Sequence, residues 1–176
     1  MKKEYVMKPI VSIIMGSASD MPIVREAAEF LNEMQIAFEI NALSAHRVPE
    51  MVAEFAKNAE QRGVRVIIAA AGGAAHLPGV VAAFTTLPVV GIPIKSSNSV
   101  EGLDSILSIL QMPAGVPVAT MALNGAKNAA IFAAQILATA DENIAAKMKK
   151  FKADLAKKIA KANEELSAIK FDYKTN

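Results

Sequence analysis

The sequence predicts an α/β fold, an open and doubly wound parallel sheet of about five strands with helices on both faces. Two observations carry this prediction. Short β-branched runs alternate with segments whose apolar residues recur every three or four positions. The runs are also nearly continuous in Val, Ile and Ala, which marks strands buried on both faces and therefore parallel. Regular alternation of the two kinds of segment gives the doubly wound arrangement.

The elements follow in order. "IVSIIM" (10–15) is the first expected strand, and "PIVREAAEFLNEM" (22–34) the helix that follows it. "AFEINAL" (37–43) leads into "PEMVAEFAKNAEQ" (49–61), and "VRVIIAAA" (64–71) into "LPGVVAAFT" (77–85). "LPVVGIPI" (87–94) precedes "GLDSILSILQ" (102–111), and "VPVATMAL" (116–123) precedes the buried helix "NAAIFAAQILATA" (128–140). Asp141 is a suitable N-cap for a last helix. There Met148, Phe151, Leu155, Ile159, Ala162, Leu166 and Ile169 form one apolar stripe on a lysine-rich surface. The chain is expected to be one domain over 1–176, with its core over 9–140. The helical segment 141–170 has no evident partner there and is expected to pack on a neighbouring subunit.

Composition narrows the function. Of 176 residues, 53% are hydrophobic and 20% charged, more apolar material than a lone small domain buries, so a homo-oligomer is expected. A net charge of +2, two Tyr and no Trp offer little to nucleic acid. The absence of cysteine excludes disulfides, thiolate catalysis and Cys-ligated metals. With two His and no carboxylates clustered beside them, a transition-metal centre is not indicated. The opening "MKKEYVMKPI" is polar, and the apolar runs are too short for a signal peptide or a membrane span. A soluble, cytoplasmic protein is expected.

Three unusual loops follow the first three strands. In open α/β sheets the crevice beyond the carboxyl ends of the strands is the ligand site, so these loops converge. In "GSASDMP" (16–22), Ser17 and Ser19 place hydroxyls beside free N–H groups at a helix start, suited to an anion. Asp20 would repel that anion and suits sugar hydroxyls better; with Pro22 it also makes a good helix start. In "SAHRVP" (44–49), the Arg47 guanidinium suits a phosphate, His46 can exchange a proton near neutrality, and Ser44 adds a hydroxyl to the same loop. In "GGAAHLPG" (72–79), Gly72 and Gly73 expose backbone amides that a flat ring can approach closely, and His76 either supports the site or shapes the fold. No G-x-G-x-x-G, Walker or G-x-S-x-G pattern occurs. Lys95 is the one lysine at a strand end, and "IKSSNS" around it reads as a polar, mobile loop.

"MGSASDMP", "SAHRVP", "AGGAAHLPGVVAAFTTLPVVGIP" and "QMPAGVPVAT", in this order and spacing, resemble the class I N5-carboxyaminoimidazole ribonucleotide mutases of purine biosynthesis. The resemblance covers about residues 9–140. It implies a three-layer αβα, flavodoxin-like sandwich, octameric assembly with sites built from more than one subunit, and no metal, ATP or organic cofactor. It implies conversion of N5-carboxyaminoimidazole ribonucleotide into 4-carboxy-5-aminoimidazole ribonucleotide. His46 would be the general acid/base. Arg47, with Ser19 and Ser44, would hold the phosphate, and Asp20 the ribose. Ser17 and the amides of Gly72 and Gly73 would meet the carboxylate, while His76 walls the pocket. Two departures stand out: Ala70 replaces a glycine of many relatives, and Ala114 follows "QMP" where others carry Arg, Lys or Gly. The nearest rival, the sister class that carboxylates aminoimidazole ribonucleotide directly, typically follows Ser-Ala-His with Lys and lacks "GGAAHLPG". A rival of another kind is a non-catalytic nucleotide-binding module.

Overall fold

A computed structural model describes residues 7–176; the polar stretch "MKKEYV" before them lies outside the described residues. Among the described residues the sheet has five strands: β1 (Val11–Met15), β2 (Phe38–Ala42), β3 (Val66–Gly72), β4 (Val89–Ile94) and β5 (Ala119–Thr120). All pairings are parallel and the order is β2-β1-β3-β4-β5. The chain thus winds one way from β1 to β2, then reverses to β3. That reversal opens a crevice between the loops after β1 and β3.

Alternation along the central strands sends side chains to two cores. Val11, Ile13, Val66, Ile68, Val90 and Ile92 face one side, and Ile14, Ile67, Ala69 and Val89 the other. The first side is covered by α1 (Met21–Glu33) and α5 (Ala126–Ala138), through Val24, Ala27, Phe30, Ala130 and Ala134. The second is covered by α2 (Pro49–Lys57), α3 (Leu77–Ala83) and α4 (Leu103–Leu110), through Val52, Ala56, Val81 and Ile109. The sandwich therefore has three layers. Gly91 keeps the second interface close, since a Cβ there would lie 2.5 Å from Ile109 Cγ2.

Three elements depart from expectation, the first being α2, which ends at Lys57 rather than at 61. The fifth strand pairs over two residues rather than 116–123. Pro117 lacks an N–H and β5 lies at the sheet edge, so little ladder can form there. Ala70, the first departure from relatives, lies inside β3 and fully buried rather than in a loop. The last helix, α6 (Glu142–Ser167), divides in two. Asp141 caps it, its carboxylate accepting from Ile144 N–H at 3.0 Å. Ile144 and Met148 are buried, and Phe151 packs edge-on against Phe30 of α1 at 5.2 Å. The first turns thus belong to the chain's own core. Beyond them Ile159 and Leu166 are 65% and 55% exposed.

Candidate active site

Four loops at the carboxyl edge line one open cleft of about 610 Å³. The loop after β1 turns at Gly16, and a short 3-10 turn (Ala18–Asp20) precedes α1. Ser17 caps that turn: its Oγ accepts from Ser19 N–H at 3.2 Å and from Ser19 Oγ–H at 2.8 Å. Asp20 occupies the N-cap position of α1 but makes no side-chain cap. The residue is only 6% exposed. Burial pushes its pKa up, while the Ser19 hydroxyl and a backbone hydrogen bond at Ser17 pull the other way. A buried carboxylate on the cleft wall, met by a backbone hydrogen bond at Ser17 and a long 3.5 Å contact from Ser19 Oγ, keeps further acceptor capacity for hydroxyls.

The loop after β2 is a tight turn in which Ser44 C=O accepts from Arg47 N–H at 3.3 Å and Val48 N–H at 3.0 Å. Pro49 opens α2 and keeps Val48 out of the helix, so His46 and Arg47 stand exposed at the apex. Among the described residues Arg47 forms no ion pair. Its guanidinium is free to grip an anion.

The loop after β3 returns toward that apex. His46 Nε2 lies 2.8 Å from His76 Nδ1, the rings edge-on at 86°. One nitrogen must donate and the other accept, so the two rings share one proton along this contact. Gly73 is buried, has φ of +60° and is absent from the cleft lining; its part is conformational. Gly72 does line the cleft. Ser17, Ser19, Asp20, Ser44, His46, Arg47, Gly72 and His76 are thus all brought to one place.

Sequence reasoning missed the fourth loop, Lys95–Asn98, which also lines the cleft. It is anchored rather than loose: Asn124 Oδ1 accepts from Lys95 N–H at 2.9 Å, and Ser105 Oγ–H donates to Ile94 C=O at 2.8 Å. Lys95 pairs with Glu101. The signal was available, because every loop after a strand of a parallel sheet reaches the same edge. Among the described residues no cluster of His, Asp and Glu could hold a metal ion, and no helix is long and apolar enough to cross a membrane.

Similarity to known proteins agrees with this geometry. A protein from Pyrococcus horikoshii, named N5-carboxyaminoimidazole ribonucleotide mutase, is 53% identical over 92% of this chain and 91% of its own. One of the same name from Thermotoga maritima is 54% identical over 92% and 94%. The crystal structure of Treponema denticola PurE superposes with a TM-score of 0.79 at 33% identity, covering 90% of this chain and 98% of that one. The sequence signature described as AIR carboxylase matches residues 10–158, which takes in the sheet and all four cleft loops. The chain belongs to the AIR carboxylase family.

Proposed function

We propose that this chain is an N5-carboxyaminoimidazole ribonucleotide mutase of purine biosynthesis, which moves a carboxyl group from the exocyclic nitrogen to ring carbon C4 within one bound ribonucleotide. The observation that carries this reading is the His46–His76 contact at 2.8 Å in a cleft that also presents Arg47 and Asp20. The relatives' shared name supports the choice of substrate.

The step is redox-neutral. The nitrogen–carboxyl bond breaks, carbon dioxide departs, and the nitrogen keeps the electron pair and takes a proton. C4 then attacks the retained carbon dioxide, and the proton on C4 leaves. The site must supply proton transfer and confinement, so that recombination outruns escape. His46 is the proton carrier. His76, bonded to its Nε2, fixes the ring and its tautomer. Arg47, with Ser19 and Ser44, holds the phosphate in charge-assisted bonds. Asp20 accepts from the ribose hydroxyls. Ser17 and the backbone at Gly72, set by Gly73, receive the carboxylate in a niche too small for a side chain.

The chain folds as one domain, works in the cytoplasm and assembles as a homo-octamer, with the exposed half of α6 and the Leu103–Leu107–Leu110 stripe of α4 covered by neighbours. Exposure of 57%, 46% and 56% at those three leucines supports a buried role in an assembly.

The decisive experiment supplies each nucleotide separately to purified protein in labelled bicarbonate. The carboxylated substrate should turn over with little label entering the product. Turnover only with aminoimidazole ribonucleotide plus carbon dioxide would reverse the assignment to direct carboxylation. His46→Asn should bind product and lose turnover by about 100-fold or more. Full activity in that variant would remove His46 from the chemistry.

A further inference from the structure

The fourth loop adds a ligand group that the function above does not use. Strand order sets the cleft out as a row: Arg47 follows β2, Ser17 and Asp20 follow β1, Gly72 ends β3 and His76 follows it, and Lys95–Asn98 follow β4. Neighbouring strands are about 4.8 Å apart, so the loops after β2 and β4 are separated by roughly 14 Å. A nucleotide phosphate held by Arg47 puts the other end of the molecule, the heterocycle with its carboxyl group, toward β4.

At that end the absence of two side chains brings the loop against the Gly72–Gly73 backbone. A Cβ on Gly72 would lie 2.4 Å from Ser96 Oγ, and one on Gly73 would lie 3.0 Å from Asn98 Nδ2. Ser96 Oγ–H donates to Asn98 Oδ1 at 2.7 Å, which uses the acceptor of that amide and leaves its two N–H donors. Lys95, the loop's only cation, is engaged with Glu101. The loop start is pinned by Asn124 and Ser105, and Ser99 Oγ–H closes its turn onto Ser96 C=O at 2.9 Å. The amide is therefore held in place before any ligand arrives.

We infer that Asn98, oriented by Ser96, is a further substrate-binding residue that donates to the migrating carboxylate beside the Gly72–Gly73 backbone. The inference rests on the proposed function for the identity of its ligand. Asn98 discriminates by charge and shape: it grips a nucleotide that carries the carboxylate and gives little to one that lacks it. Ser96 is a positioning residue.

Isothermal calorimetry on the full chain tests this with two probes, aminoimidazole ribonucleotide and its 4-carboxylate. Asn98→Ala should weaken the carboxylated nucleotide about ten-fold or more, the cost of a lost charge-assisted bond, and leave the other within about two-fold. Asn98→Asp, isosteric but acidic, should weaken the carboxylate further. Ser96→Ala should show the same selectivity at smaller size. Equal loss for both probes, or none for either, overturns the role of Asn98. Circular dichroism on each variant separates these results from misfolding, and if Asn98→Ala misfolds, the selectivity of Asn98→Asp decides. Failure of the wild-type protein to bind either probe would sink the proposed function itself, a result distinct from any that concerns Asn98.

Discussion

Asp20 shows how a carboxyl buried on the cleft wall bears on stability. Its burial raises the folded pKa above the ordinary 3.8, so the native state binds more protons than the unfolded chain between those two values. Stability therefore falls as pH rises through that window, and the penalty is complete above the folded pKa. Asp20→Asn should raise Tm at neutral pH, and the gain should vanish below about 3.8, as followed by thermal melts across pH. The same variant should weaken substrate binding if Asp20 takes the proposed place as acceptor for the ribose hydroxyls. A melting temperature insensitive to this substitution at neutral pH would show that the carboxylate is not strained. Gly72→Ala asks a steric question. Its Cβ would sit 2.6 Å from Ser96 Cβ, so the change should cost about 1–3 kcal/mol in chemical denaturation, and Ser96→Gly in the same chain should recover most of that. At this scale the sequence was legible for placement, since Arg47 and Gly72 do line the cleft, whereas Gly73, expected beside Gly72, is buried behind it. It was not legible for the bond between His46 and His76, which joins two turns 30 residues apart. Nor did composition reveal that Asp20 would leave its cap unmade.

The elements were read well where packing repeats. Nearly continuous apolar strands and three-to-four spacing fixed β1, β3, β4 and α1 to within a residue or two, because both faces of each strand meet a core. The fifth strand was overestimated because pairing needs N–H groups as well as apolar side chains, and Pro117 supplies none. α6 misled in another way. Its apolar period runs unbroken, yet the structure splits it between an inner part on α1 and α5 and an outer part in the open. Periodicity marks a face and says nothing about which surface covers each turn of it. The split sets a contrast that denaturant titration of the dilute protein can read. Met148→Ala should cost about 2–5 kcal/mol, whereas Ile159→Ala should stay within about 0.5 kcal/mol. Equal losses at both positions would mean that the outer turns are packed within the same subunit.

For the whole molecule, the fold class and the convergence of loops followed from the order of elements, since a parallel sheet sends every strand's carboxyl end to one edge. The fourth loop escaped because a polar stretch without glycine or histidine looks like any connection. Assembly is tested at this scale. Ile159→Glu with Leu166→Glu should lower the mass seen by light scattering while circular dichroism stays unchanged. An unchanged mass would move the subunit contact away from α6.

The row of four loops also has a kinetic meaning. Ser17, His46, His76 and Asn98 line one cleft yet are scattered along most of the first hundred residues. No fragment or half-formed intermediate can bring them together, and the β1–β3 pairing must close over the whole β2 excursion first. Regain of turnover during renaturation should therefore trail the return of ellipticity, and the nascent chain should stay silent until β4 has emerged and docked.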